Sequence, residues 1–385
     1  MELKAGYKMT EVGVIPEDWE VRTLGEVLKV KHGKDQKEIE NSNGNFPILG
    51  TGGLMGFTNQ YLYDNPSVLI GRKGTIDKPQ YMCSPFWTVD TLFYTQIFNG
   101  YFPKYLFYKF LLVKWYSYNE ASGVPSLNAK TIEKISMAFP NSIKEQTAIA
   151  NALSNADALI SSLEKLIAKK RNIKQGAMQK LLQPKEGWEV KRFSDVCWFQ
   201  EGPGLRNWQF TKSGIKVINV TNLENGILNL ERTARHISLE EFQKMYQHFE
   251  INENDIVVAS SGNSYGKVAL VRRKDLPLVM NTSVIRFKPL KELDFNFLWT
   301  FLKSNQFKDQ IDLLITGGAQ PNFGPAHLNK VFINMPATME EQIQISTVFY
   351  DMDAEILSLE TKLEKYRNIK LGMMQNLLTG KIRLV

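Results

Sequence analysis

Apolar positions along this chain follow two rhythms. Ile149, Ala152, Ala156, Ile160, Leu163, Ile167, Ile173, Ala177 and Leu181 recur mostly in steps of three and four. That is the period of an amphipathic helix or a coiled coil. Ile345, Val348, Met352, Ile356, Leu359, Leu363, Ile369, Met373 and Leu377 repeat the stripe at the matching positions of a second segment. Pro140 and Pro336 stand before the two segments, where proline is tolerated, and Pro184 and Gly380 stand where the helices should stop. About 40 residues at 1.5 Å each give a helix of roughly 60 Å, too long to bury its stripe in one small domain. The simplest cover for each stripe is the other copy. The regions between, 20–140 and 189–336, read differently. Short apolar runs at 46–49, 67–70 and 92–94, and at 215–220, 255–259 and 268–271, are broken by Gly, Asn and Pro, which predicts short strands. Near the end of each region comes an aromatic-rich helical stretch, 101–116 and 295–307, spaced as core rather than as base-stacking groups.

The two helical segments are copies. Residues 157–185 align without gaps on 353–381, and 17 of the 29 positions are identical. RNIK recurs at 171–174 and 367–370, Glu145-Gln146 meets Glu341-Gln342, and Pro125 meets Pro321. A second echo opens each half, Trp19-Glu20-Val21 and Trp188-Glu189-Val190. An internal repeat sets the architecture before any local argument. The expected fold class is α+β: two mixed α/β domains joined by two long antiparallel helices as a coiled coil, with a pseudo-two-fold repeat. The expected boundaries are 1–140 for the first domain with an N-terminal extension, 141–185 for the central helix, 186–336 for the second domain and 337–385 for the distal helix. Antiparallel helices set like domains at opposite ends of a spacer, whereas parallel ones set them at the same end. A coiled coil that only joins two copies of the chain is the competing use of the stripes.

Charge narrows the partners. The net charge is +7, and residues 143–185 hold eight Lys and Arg against three Asp and Glu, so five of the seven excess charges lie there (8 − 3 = 5). A polyanionic partner fits, as does a merely basic protein. The cluster Lys165, Lys169, Lys170, Arg171 and Lys174 suits DNA between two contact points, an acidic protein surface, or a solvated helix face. Polar, glycine-punctuated loops occupy comparable places in both domains: Thr51, Gly52, Gly53, Arg72, Lys73, Gly74, Thr75 and Lys78 in the first. In the second they hold Thr221, Asn222, Ser260, Ser261, Asn263, Ser264, Tyr265 and Lys267. Arg and Lys pair with guanine edges or phosphates, Asn with adenine, and hydroxyls with either, while glycine permits close backbone approach. Taken singly such loops are ordinary turns; their recurrence makes them candidates for reading base edges.

Other chemistry is missing. There is no G-x-x-x-x-G-K-[ST] loop, no Asn/Asp-Pro-Pro-aromatic motif, no H-x-x-x-H pair and no Pro-Asp…Glu-x-Lys cluster. Cys83 and Cys197 lie far apart without metal spacing, which fits a reducing compartment. No catalytic or metal-binding residue is expected. Residues 1–10 lack an apolar signal core and no apolar run approaches the roughly 20 residues of a membrane span, so a cytoplasmic protein is expected. Two rival functions remain: a coiled-coil scaffold bridging protein partners, and a DNA methyltransferase or nuclease with an unrecognised site.

With the repeat in hand, the chain resembles the specificity subunit of type I restriction-modification systems. The likeness is carried by Asp18-Trp19-Glu20 and Gly187-Trp188-Glu189, by Gly74-Thr75, by VPSLN at 124–128 and QPNF at 320–323. Pro140 with Glu145-Gln146, Pro336 with Glu341-Gln342, and the helix ends KLL at 180–182 and NLLTGK at 376–381 complete it. The resemblance implies that each variable domain reads one half of a split, asymmetric duplex DNA site and that the helices fix the gap. It implies that two methyltransferase subunits dock around the helices and that motor-nuclease subunits join them. S-adenosylmethionine, ATP and magnesium would belong to those partners, and the chain itself would bind no cofactor.

Overall fold

A computed structural model describes residues 5–315 and 321–384. The chain divides into two compact units, residues 1–165 with 360–385, and residues 166–359. Both boundaries fall inside the long helices, Ile143–Leu181 and Met339–Leu377, of 39 residues each. No helix among the described residues is long and apolar enough to cross a membrane.

Each unit is built on a four-stranded antiparallel sheet of the same topology. In the first, the spatial order is Leu28–Lys31, Leu92–Ile97, Ser67–Gly71 and Gln80–Met82. In the second it is Cys197–Glu201, Val284–Pro289, Ile256–Ala259 and Val268–Leu270, so the chain visits the sheet in the same sequence. The third strand of each, SVLIG and IVVA, is buried along its whole length, which is why it reads as an unbroken apolar run. The first unit adds the hairpin Phe46–Gly50 and Gly53–Thr58, and the second adds a mixed sheet around Ile215–Ile218 and Leu278–Met280.

The aromatic-rich stretches are core, but shorter than the sequence suggests. Pro103–Leu112 forms one helix that buries Tyr105, Tyr108 and Phe110, and Trp115–Tyr118 continues as a 3₁₀ turn. The stretch 295–307 is not one helix. It breaks at Lys303, and Ser304 caps a second helix by accepting a hydrogen bond from the Phe307 amide at 3.3 Å. Phe301 and Phe307 are buried against Phe193, and Phe297 is buried against Trp188.

The echo Trp-Glu-Val and the helix-start motif prove to be one device. Trp19–Thr23 pairs antiparallel with Ser136–Pro140, Trp19 opposite Pro140, and Trp188–Arg192 pairs with Phe332–Pro336, Trp188 opposite Pro336. The Trp19 indole donates to Glu145 at 3.3 Å and the Trp188 indole to Glu341 at 3.1 Å. Gln146 is buried; its amide donates to the Pro140 and Gly100 carbonyls and its oxygen accepts from the Phe102 amide at 2.9 Å. Gln342 repeats this on Pro336, Glu292 and Asp294. In the first unit Arg383 adds a fork onto Asp18 and Glu145, and the Tyr7 hydroxyl donates to the Gly380 carbonyl at 3.0 Å. Domain, opening strand and helix start are thereby fixed to one another within each unit.

The stripes differ from the expected set at three places. Ile173, Val348 and Ile369 are exposed, at 47%, 39% and 43%. Phe349 takes the buried position beside Val348, and at the other two sites the neighbouring lysine turns inward. Counting from buried Ile167, seven residues on is Lys174, whereas Ile173 falls one position short of the seam. Lys174 is held by Asp353, which also takes Lys303 at 3.0 Å. In the first unit Lys370 is held by Asp157 at 2.5 Å, and Asp157 accepts from the Tyr108 hydroxyl at 2.7 Å. Glu164 pairs with Arg367 in the first unit and Lys170 with Glu355 in the second. Within each unit, rising numbers on one helix thus meet falling numbers on the other. Of the basic cluster, Lys165 and Lys169 are exposed, Lys170 and Lys174 are paired with acids of the other helix, and Arg171 is not free.

Burial raises the Asp353 carboxyl, but Lys303 and Lys174 outweigh it and hold it below the usual carboxylate range. Asp353→Asn should therefore destabilise the protein in urea by about 1–2 kcal/mol, a value reduced from that of a fully buried pair because Asp353 is partly exposed. A group with a depressed native pKa stabilises above its unfolded value, so this difference should fade as pH falls below about 4. Lys109 is buried, donates to the Leu378 carbonyl at 3.0 Å, and is pushed by burial down to about 7. Its unfolded state holds the proton up to about pH 10.4, so native stability rises with pH between 7 and that value. Lys109→Met should gain most over the native chain below pH 7 and lose that advantage as pH rises, in unfolding curves taken across this range.

Candidate nucleic-acid interface

The candidate loops gather at one end of the four-stranded sheet in each unit. In the first unit the chain leaves Ser67–Gly71 into 72–75. The Arg72 and Lys73 amides donate to the Thr91 carbonyl, at 2.8 and 3.2 Å, and the Arg72 guanidinium donates to the Asp90 carbonyl at 3.2 Å. The Gly74 amide donates to the Pro125 carbonyl at 2.8 Å and the Leu127 amide to the Arg72 carbonyl at 2.8 Å. Gly74 has φ +92°, a left-handed conformation open to glycine and costly for other residues. The hairpin tip Thr51, Gly52 and Gly53 lies alongside: the Thr51 hydroxyl is 3.8 Å from where a Cβ on residue 74 would stand. Lys73 is exposed, while Arg72, Thr51 and Thr75 are half-buried. Lys78 is exposed on the same connection and has no carboxylate within ion-pair distance among the described residues.

The second unit repeats the brace. The Ser260 amide donates to the Ser283 carbonyl at 2.9 Å, the Phe323 amide to the Ser260 carbonyl at 3.0 Å, and the Gly262 amide to the Pro321 carbonyl at 3.2 Å. Lys73 is bridged to Ser126 in one unit and Ser261 to Asn322 in the other. The motifs around Pro125 and Pro321 are therefore hooks that shape the loop after the buried third strand. Gln320 and the Asn263 side chain lie outside the described residues. The turn Val220–Asn222 packs beside Gly262–Ser264.

Placement separates the candidates by task. Thr221 and Lys267 are exposed, and Ser261, Ser264 and Gly266 half-exposed. Asn222 is fully buried; its amide donates to the Asn229 carbonyl and its oxygen accepts from the Asn219 amide, each at 2.9 Å. Ser260 is buried as well. Tyr265 leans on Phe323 and its hydroxyl donates to Asp312 at 2.9 Å; burial and that carboxylate push the phenol well above its usual range. Asn222, Ser260 and Tyr265 thus hold the loops in shape, and the exposed side chains beside them are the ones that face solvent.

Two further segments reach this end of the sheets, and the loop pattern in the sequence does not single them out. After Leu28–Lys31 come His32, Gly33 and Lys34, with the Lys34 amide on the Thr88 carbonyl at 2.9 Å and the Trp87 indole on the Lys34 carbonyl at 3.0 Å. After Cys197–Glu201 comes 202–210, with exposed Arg206, Asn207 and Trp208. The available signal was positional: both follow the first strand of their sheet and are glycine-punctuated.

A family model for the type I restriction modification DNA specificity domain matches residues 16–175 and again 185–366. A type I restriction enzyme specificity subunit of Methanocaldococcus jannaschii, MjaVIII, is 26% identical over 96% of this chain and 94% of its own length. A putative second one from that organism, MjaX, is 24% identical over 98% and 97%. The crystal structure of a type I restriction-modification S subunit from M. genitalium superposes with a TM-score of 0.65 at 16% identity, covering 98% of both chains, a likeness of fold. The doubled sheet, the doubled loop brace and the doubled helix motif are thus two copies of one domain, and the chain belongs to the type I restriction-modification DNA specificity family.

Proposed function

We propose that this chain is the non-catalytic, DNA-reading subunit of a type I restriction-modification complex, in which each unit reads one half of a bipartite, asymmetric duplex site. The observation that carries this is the recurrence, on two sheets of identical order, of the same braced loop after the third strand. A loop held by three backbone hydrogen bonds keeps its exposed side chains at fixed positions, which reading base edges requires. The residues proposed to meet DNA are the exposed Lys73, Lys78, Thr221 and Lys267, with exposed Gly52 and the half-buried Thr51, Gly53, Arg72, Gly74, Thr75, Ser261 and Ser264 around them. Phosphate contacts by the lysines supply affinity that falls with salt.

Under this reading the long helices run antiparallel along their whole length as a coiled coil with pseudo-two-fold symmetry. The reciprocal pairs support it: Lys174 with Asp353, and Lys370 with Asp157, join the same two repeat positions in exchanged roles. The rod then spaces two half-sites about one duplex turn, roughly 34–36 Å, apart. Two methyltransferase subunits dock around the helices and the motor-nuclease subunits join them. S-adenosylmethionine, ATP and magnesium belong to those partners, whose modification follows the site this chain selects. A pure scaffold has no need of two braced loop sets, so the DNA reading takes precedence.

Two experiments test it. Replacing residues 20–135 with the corresponding domain of another member, followed by mapping of methylated adenines, should change one half of the motif and leave the other intact. A change in both halves, or in neither, refutes modular reading. Inserting one heptad into each helix, between Asp157 and Lys174 and between Asp353 and Lys370, lengthens the rod by about 10 Å. The preferred gap should grow by about three base pairs, and an unaltered gap would mean the helices are not the ruler.

A further inference from the structure

Trp208 is 82% exposed, the most exposed large apolar side chain among the described residues. Tryptophan carries a large apolar surface and is seldom left in water without a partner. We propose that Trp208 is a specificity-determining residue of the second target domain, its indole set against the bases of the target duplex with Arg206 on an adjoining phosphate. This rests on the DNA-reading role proposed above.

The turn that carries it is rigid. Residues 202–210 leave the strand Cys197–Glu201 beside the other loops: a Cβ on Gly202 would lie 2.3 Å from the Asn281 carbonyl oxygen, and Glu201 accepts from the Thr282 hydroxyl at 3.3 Å. Leu205 is buried with Ile215, Val217 and Phe242 on one side of the turn. On the other, Gln209 is buried; its oxygen accepts from the Arg206 amide at 2.7 Å and its amide donates to Glu241 at 2.5 Å and the Tyr246 hydroxyl at 2.8 Å. Between these two anchors Arg206, Asn207 and Trp208 all project into solvent. A side chain held out by its neighbours' burial loses little freedom on binding.

The surroundings select the partner. In sequence Trp208 is flanked by Arg206, Asn207, Thr211 and Lys212, all exposed. Arg206 has no carboxylate within ion-pair distance among the described residues, and Arg235 lies 4.9 Å from the Phe210 ring centroid. An exposed aromatic ring beside cations at the loop end of the sheet suits contact with base edges in a groove, or wedging at a base step, next to phosphates.

The test uses the full chain assembled with its methyltransferase subunit. Binding is measured on a duplex carrying the complex's own methylated site, and on one in which only the half assigned to the second domain is scrambled. Trp208→Ala should weaken binding to the intact site roughly 10–100-fold while changing little on the scrambled one, and Trp208→Phe should retain part of the difference. Arg206→Ala should lower the salt slope by about one, whereas Trp208→Ala should leave it unchanged. Unchanged affinity and discrimination in Trp208→Ala overturn the proposal. So does loss of assembly with the methyltransferase subunit, which would make Trp208 a protein contact. If the native complex does not distinguish the two duplexes, it is the DNA-reading role itself that fails.

Discussion

A buried amide at the first turn of each long helix governs how the rest of the molecule is arranged. Gln146 and Gln342 each satisfy the carbonyl of the proline that ends the preceding strand and the backbone at the start of an aromatic segment, all out of water. Buried polar groups left unmatched are costly, so these bonds admit only one angle between helix and sheet. The acid beside each glutamine takes the indole of the opening strand, which extends the constraint to the start of the domain. The loops at the end of each sheet are tied to the helix through this junction.

The seam between the helices follows a different logic. An all-apolar stripe tolerates slippage, because one leucine can replace another. Lys174 and Lys370 interrupt it with a charge that is matched only by an aspartate on the other helix, Asp353 or Asp157. A buried or half-buried ion pair adds little net stability, but a misplaced one is expensive, so it fixes register. In each unit the target domain also contributes, Tyr108 to Asp157 and Lys303 to Asp353.

How much of this was legible in the sequence depended on range. The repeat, the long helices, the buried third strands and the aromatic cores all leave local or periodic traces, and each was readable. Stripe membership failed at Ile173, Val348 and Ile369, because hydrophobicity alone cannot say which of two neighbours faces inward when the inward one is a paired lysine or a larger ring. Among the loops, composition selected segments without sorting their side chains by burial. Asn222 and Tyr265 look as apt for DNA as Lys267 until burial assigns them to the scaffold. Nothing in the sequence marks Trp208 as exposed; only the fold shows it outside.

The composition of the two units has a consequence for biosynthesis. The second is one continuous stretch, 166–359, whereas the first needs residues 360–385 to cover Ile149, Leu153 and the inner face of its sheet. A ribosome adding 5–20 residues per second takes roughly 10–40 s to make the intervening 194 residues (359 − 165 = 194). For that interval the half of the protein made first lacks Met374, Leu377 and Leu378, which share its core with Ile149 and Leu153.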